Sequence, residues 1–175
     1  MKNYIEKFNS TIEVWITELE YYDFDVLLVK QDCQSWSLSQ VFIHLCNETE
    51  YYIEQIEICL SHDENSSEEM NETGKMMFAK NEFPDEKIKG DPVVSENLPQ
   101  PKSKLQLQEK IRAVKLQMNS IWKKTNSSKH IGKTKHPGHG YFNAQDWLRY
   151  SEMHLRHHLR QKRSIDDFLK TKPEH

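Results

Sequence analysis

The chain has 175 residues, 36% of them hydrophobic, which is enough apolar content for one core and predicts a single domain over residues 1–175. A formal net charge of −3 gives no general attraction to nucleic acid or to an anionic membrane. The N-terminus lacks an apolar signal core, and no apolar run reaches the roughly 18 residues that a membrane span needs. The composition therefore predicts a cytoplasmic protein with no nucleic-acid or membrane partner.

The three cysteines, Cys33, Cys46 and Cys59, are an odd number at wide spacing. This pattern fits reduced thiols better than a disulfide framework or a Cys-x-x-Cys metal site. We expect all three to be small apolar core residues.

Apolar residues recur at intervals of three and four along most of the chain, which predicts an all-α fold. The first helix is predicted over residues 2–21. The second begins after Ser37, because Ser37 and Gln40 have the spacing of a capping box, and ends near Leu60. Its inward face is predicted to comprise Val41, His44, Leu45, Glu48, Tyr52, Ile56 and Cys59.

Residues 61–102 are polar and acidic, and they include four of the six prolines. We predict a long connection without secondary structure of its own. Such a length would let the second and third helices run parallel, because the chain must travel back along a bundle about 30 Å long. Residues 126–142, which are rich in glycine, proline and serine, are predicted to be a second loop.

The third helix is predicted to begin after Ser103, which has Gln106 three residues later, and to end near Thr125. The fourth is capped by Asn143 and runs to about Leu169. The inward stripe of the fourth helix is predicted to comprise Trp147, Tyr150, His154, His158, Gln161, Ile165 and Phe168. Two histidines and a glutamine therefore lie in the middle of a core-facing seam.

His154 and His158 are four residues apart, so both rings can reach one point on the same side of a helix. His44, on the inward face of the second helix, is the predicted third ligand. Three imidazoles suit zinc, nickel or ferrous iron and leave one coordination position for water or substrate.

A hydrogen-bonded core histidine is the competing interpretation, and for His44 alone it is the more common situation. Three inward histidines favour the metal, because each buried imidazole would otherwise need a donor and an acceptor from an apolar seam.

Two polar residues near these histidines are candidate catalytic groups. Glu48 lies one turn after His44 and could orient a ligand or act as a general base, although a buried carboxylate paired with tyrosine or arginine fits equally well. Gln161 could contact a metal ligand or the substrate, or form a polar bond between helices.

The remaining histidines on this part of the chain have simpler interpretations. His157 points about 100° away from His158 and is interpreted as an exposed or flanking residue. His136 and His139 could close over the site, but a plain loop is the expected interpretation.

Three arginines, Arg156, Arg160 and Arg163, form a row away from the histidine seam, with Lys162 beside it. We interpret this row as a solvated face, with a Glu152–Arg156 pair, rather than as a patch for an anionic ligand.

Two segments of the chain resemble the DinB-like superfamily of metal-binding four-helix bundles. One is SWSLSQVFIHL, which has the Trp-Ser…His-Leu pattern at the start of the second helix. The other is HPGHGYFNAQDWLRYSEMHLRHHLRQ, which has the His-x-x-His-His-x-x-Gln pattern of the fourth helix. The resemblance implies an up-down-down-up bundle with a long crossover, a divalent metal held by His44, His154 and His158, and frequent homodimers. It also implies relatives among thiol-dependent S-transferases and isomerases. The acidic 61–102 link departs from the family pattern, which leaves the substrate open.

These observations favour a metal-dependent enzyme acting on a small molecule, and a low-molecular-weight thiol is the specific expectation. Two alternatives stay open. One is a metal-dependent hydrolase. The other is a non-catalytic bundle in which the metal or the histidines serve stability, in a binding or stress-associated module.

Overall fold

The structure is a computed structural model that describes residues 3–84 and 98–171. The described residues are mostly helical, as predicted. They form six helices and a two-stranded sheet: α1 (Tyr4–Glu20), α2 (Phe24–Leu27), α3 (Leu38–Cys59), α4 (Glu72–Lys80), α5 (Lys104–Thr125), β1 (Thr134–His136), β2 (Gly140–Phe142) and α6 (Ala144–Lys170). Residue 2 of the first predicted helix and residues 85–97 of the predicted link lie outside the described residues.

The predicted helix starts are confirmed by their hydrogen bonds. The Ser37 hydroxyl accepts the Gln40 N–H and the Gln40 side chain accepts the Ser37 N–H, which completes the capping box of α3. Ser103 caps α5 by accepting the Gln106 N–H. Asn143 forms a capping box at the start of α6. These caps satisfy main-chain donors that have no partner within the helix.

The core lies between the four long helices. Helix α3 packs against α5 and α6, and α1 packs against the same two helices. All four long helices supply buried side chains, with Trp15 of α1 meeting Phe42 of α3 edge to face at a ring distance of 5.1 Å. The packing of α3 against α6 brings together the two seams that carry histidines.

The predicted 61–102 connection contains a nine-residue helix, so the prediction that it lacks secondary structure is wrong. Asn71 caps α4 by accepting the Gly74 N–H, and Met77 and Phe78 are buried. The surrounding sequence is so polar that two buried residues produce no recognisable apolar stripe.

The predicted 126–142 loop contains an antiparallel hairpin, β1 with β2, which is a second difference. Gly140 lies in the left-handed region at φ +82°, and a Cβ there would come within 2.6 Å of the Asn71 nitrogen. The Asn71 N–H also donates to the His139 carbonyl at 3.0 Å. The hairpin is therefore fixed to the chain just before α4, and only glycine fits the contact.

Arginines of α6 bind main-chain carbonyls of residues 70–84, which we call the strap. Arg149 donates to the Phe78 carbonyl at 3.1 Å, Arg156 to that of Asn81 at 2.8 Å, and Arg160 to that of Phe83 at 3.0 Å. The interpretation of the arginine row as a solvated face is therefore wrong for Arg156 and Arg160, because they hold the strap against α6.

Other residues of this row also have specific positions. The predicted Glu152–Arg156 pair is present at 2.9 Å, and Glu152 is buried. Arg163 is exposed, as expected. Lys162, which the row placed on the surface, is only 5% exposed.

All three cysteines are free. Cys46 and Cys59 are buried, as predicted, but Cys33 is exposed, so the expectation of a core position is wrong for Cys33. Within residues 3–84 and 98–171, no helix combines the length and apolarity needed to cross a bilayer.

Candidate metal centre

The three histidines predicted from the sequence converge between α3 and α6. His44 lies in the second turn of α3, and His154 and His158 lie on successive turns of α6. The Nε2 atom of His154 is 3.2 Å from Nε2 of His44 and 3.0 Å from Nε2 of His158. One ligand atom from each residue lies within 4.8 Å of the other two. We call these three residues the histidine triad.

Three neutral imidazoles do not have enough suitably placed N–H groups to form hydrogen bonds at both Nε2 contacts. The Nδ1–H of His158 donates to Oε1 of Gln161 at 2.7 Å, so Nε2 of a neutral His158 carries a lone pair. Nε2 of His154 faces Nε2 of His44 and Nε2 of His158, and it has at most one proton to share between them. If His154 keeps its proton on Nδ1 instead, that buried atom has no hydrogen-bond partner within the described residues. No set of neutral tautomers therefore gives both Nε2 contacts a complete hydrogen bond and also a partner to Nδ1 of His154.

Two of the three distances between the triad nitrogens match those around a shared cation. Two nitrogens bound to one ion at about 2.1 Å lie about 3.0 Å apart at a right angle and about 3.4 Å apart at a tetrahedral angle. The two Nε2 distances fall in this range. The triad could hold a divalent metal ion, and nitrogen donors suit the zinc, nickel or ferrous iron expected from the sequence.

Burial keeps all three rings neutral, which is the form that binds a metal. Burial, followed by the nearby His157, lowers the pKa of His44 to about 4. Burial and His44 lower the pKa of His158 to about 3. The pKa of His154 lies well below its usual value, chiefly because of burial and then because of His158 and His44.

Aromatic side chains enclose the triad. The ring of Trp36 lies 4.9 Å from that of His44, and the ring of Tyr52 lies 5.8 Å from that of His154. Phe83, from the strap, lies 5.9 Å from the His154 ring and is only 3% exposed. These rings limit the access of water to the histidines.

Gln161 contacts a histidine of the triad, and its role toward a metal ligand or substrate stays a prediction. Its contact with His158 is within α6, so the alternative of a bond between helices is wrong. The bond fixes the tautomer of His158 so that Nε2 is free to bind.

Glu48 accepts a hydrogen bond from the Tyr52 hydroxyl at 2.9 Å, which matches the predicted pairing of a carboxylate with tyrosine. Burial raises the pKa of Glu48, and the Tyr52 bond lowers it by a smaller amount. The roles of general base and of ligand orientation stay predictions.

The histidines outside the triad occupy two other environments. His157 is partly buried, with its ring 5.4 Å from Phe83, and Arg160 donates to its Nδ1 at 2.7 Å, so the exposed interpretation is wrong. His136 and His139 stack on each other at 4.7 Å in the hairpin. The His136 ring lies 4.7 Å from that of Tyr150, one turn before His154, so the hairpin flanks the aromatic enclosure.

Tyr52 was predicted to face inward, but Phe83 was not identified from the sequence. Its only signal is an aromatic residue in the segment NEFPD, five residues after Phe78 in a mostly polar link.

Comparisons with known proteins give no match: no family model fits the chain, and neither a curated protein nor a solved structure matches it. The site is therefore characterised by its geometry, and the DinB-like resemblance rests on the quoted motifs.

Proposed function

We propose that this chain is a divalent-metal-dependent enzyme that acts on a small thiol, as an S-transferase. The convergence of three neutral Nε2 atoms in an aromatic enclosure is the observation that carries the proposal. The same proposal takes the four long helices as an up-down-down-up bundle of the DinB-like type. A cytoplasmic location and a homodimer belong to it as expectations from composition and resemblance.

A divalent cation in such a site lowers the pKa of a thiol or water that completes its coordination, and so supplies a nucleophile near neutral pH. The chain supplies the rest. His44, His154 and His158 offer uncharged donors, and Gln161 holds His158 in the correct tautomer. Trp36, which lies against the His44 ring, limits the access of competing water on that side.

Metal content tests the first part of this proposal. We expect purified, tag-free protein to bind one zinc, nickel or iron ion per chain, and His44→Ala and His158→Ala to lose it. His130→Ala is the matched control, because the exposed side chain of His130 hydrogen-bonds only to the surface residue Asp63 among the described residues. A metal-free wild-type protein that folds normally, and that takes up no added zinc, cobalt or nickel, would show that the triad is a core feature without a metal.

The thiol is tested separately in protein loaded with cobalt(II), whose absorption reports a change of ligands. We expect a small thiol to add a sulfur-to-cobalt band and to be consumed when an electrophile is supplied. If cobalt binds and no thiol alters the spectrum, the S-transferase is ruled out and hydrolysis of an ester or amide is the next activity to assay. If neither reaction occurs, the site has a stabilising role.

A further inference from the structure

Glu48 is a partly buried carboxylate beside the histidine triad. It lies one helical turn after His44, so the two side chains share a face of α3 and are about 6 Å apart along the axis. Its Oε2 atom accepts the Tyr52 hydroxyl. Among residues 3–84 and 98–171, this is its only hydrogen bond to a side chain, and no lysine, arginine or histidine forms an ion pair with it. A buried carboxylate without a cation is costly, so this position calls for an explanation.

Two other acidic residues of α3 have the cation that Glu48 lacks. Glu50 pairs with Lys110 at 3.5 Å, and Glu57 pairs with Lys124 at 3.3 Å. Both of these carboxylates face water, where an ion pair adds little. The more buried carboxylate, which would gain most from a positive partner, is the one that lacks it.

Tyrosines surround the Glu48 carboxylate. The Tyr52 ring lies 5.9 Å from that of Tyr51 and 5.4 Å from that of Tyr150. Burial, and then the charge of Glu48, raises the pKa of Tyr51 and of Tyr150. A carboxylate among aromatic rings and hydroxyls is a favourable environment for an ammonium group, which gains an ion pair, hydrogen bonds and cation–π contact.

The same tyrosine connects this carboxylate to the triad. Tyr52 donates to Glu48 through its hydroxyl, while its ring lies 5.8 Å from that of His154. A small molecule that reaches the histidines therefore has a negative group within one helical turn.

We propose that Glu48 binds a protonated amine of the substrate, so that the substrate is an aminothiol with its ammonium group at Glu48 and its sulfur toward the triad. This inference rests on the proposed function and names its substrate class. It differs from a general base, since a base would act on neutral and cationic thiols alike.

Titrations of the cobalt-loaded protein with cysteamine and with 2-mercaptoethanol distinguish amine binding from general-base catalysis. The two thiols have similar shapes, but cysteamine carries an ammonium group where 2-mercaptoethanol carries a hydroxyl. We expect wild type to bind cysteamine about tenfold more tightly or better, which is the usual gain of a hydrogen bond to a charged group. Glu48→Gln should remove this preference and leave 2-mercaptoethanol unaffected. Glutamine keeps the shape and the acceptor for Tyr52, so the fold should persist.

Glu54→Gln is the matched control, because it removes the same charge from an exposed position of α3 and should change neither affinity. Equal affinity of wild type for the two thiols would overturn the proposal without any variant. An equal loss of affinity for both thiols in Glu48→Gln would also overturn the proposal. It would favour a role for Glu48 as a general base or as a structural residue.

A titration of metal-free protein with propylammonium chloride, followed through the tyrosine ring resonances, distinguishes the two proposals. Shifts in wild type that Glu48→Gln abolishes, and that propanol does not cause, would support the amine site even if the protein takes up no metal. If metal and both thiols bind but no amine-dependent effect appears in either titration, the proposed function stands and the amine site is rejected.

Discussion

Two polar clusters lie one turn apart on α6, and they differ in how they satisfy their buried groups. In the lysine cluster, Lys162 contacts Glu18, the Tyr22 hydroxyl and Asp166, each at 2.7 Å. Its three N–H donors thus have three acceptors, and its charge is balanced. Burial alone would lower the pKa of Lys162, but the bonds to Asp166 and Glu18 outweigh it and raise that pKa.

The histidine triad, whose last member His158 lies one turn before Lys162 on α6, does not have matching numbers of hydrogen-bond donors and acceptors. Three ring nitrogens meet with too few protons, and Nδ1 of His154 has no partner within the described residues. The lysine cluster has partners for all of its donors, whereas the triad does not, and a bound cation would complete it. Burial of polar groups therefore does not distinguish a structural cluster from a site, but an account of donors and acceptors does.

The largest expected effect is stabilisation of the triad by zinc. With free zinc at about a thousand times its Kd, binding should raise the free energy of unfolding of wild type by about 4 kcal/mol. His154→Ala should abolish this gain, because only two ligands remain. Urea denaturation with and without zinc measures it. A His154→Ala variant that zinc stabilises as much as wild type would contradict the comparison.

Lys162→Met should give the next largest change in the free energy of unfolding, and this change should not depend on zinc. Removing the ammonium leaves Glu18 and Asp166 without their cation, which we expect to cost about 3 kcal/mol in the free energy of unfolding. Zinc stoichiometry should be unchanged. Lys170→Met is the control, because its pair with Asp167 is exposed and should contribute little. Loss of zinc from a folded Lys162→Met variant would show that the two clusters are not independent.

Gln161→Leu should weaken zinc binding about tenfold, or about 1.4 kcal/mol, because the tautomer of His158 is no longer fixed. Competition with a chelator measures this affinity. Gln117→Leu, at an exposed position of α5, is the control. Unchanged affinity in Gln161→Leu would mean that the 2.7 Å contact does not orient the ligand.

The hairpin histidines should give the smallest effect. Burial, and then His139, lowers the pKa of His136 from 6.5 to about 4, so the folded protein binds fewer protons than the unfolded chain between these values. The contribution of His136 to stability is complete above pH 6.5 and is lost as the pH falls toward 4.

His136→Asn keeps an acceptor for the Gly138 N–H but does not titrate. We expect this variant to lose less stability than wild type between pH 6.5 and 4, by about 1 kcal/mol. Thermal unfolding across this range measures the difference. Parallel pH profiles for the two proteins would show that His136 is charged or solvated in the folded state.

The sequence predicted the long helices and the triad because both follow from short-range spacing. The cap residues Ser37 and Asn143 mark helix starts, and a four-residue interval places His154 and His158 on one face. The third ligand, His44, was predicted because an inward seam has few places for an imidazole. These inferences need only the geometry of a single helix.

Features that depend on contacts between distant segments were missed. Phe83 encloses His154 from a link whose composition indicated only a connection, and Arg160 holds it there through a main-chain carbonyl. Main-chain acceptors have no signature in a sequence, so the arginine row resembled an ordinary surface. The burial of Lys162 was missed for a similar reason, since its partners Glu18 and Tyr22 belong to the opposite end of the chain.

The attachment of the strap has a consequence for engineering. Arg149, Arg156 and Arg160 bind carbonyl oxygens, which every amino acid supplies, so the exposed side chains of the strap are not needed for its attachment to α6. Exposed positions there, such as Met76 and Lys80, can be recoded extensively while the backbone keeps its course. A library confined to these exposed positions would thus change the outer surface of the strap without disturbing the helices that present the histidines.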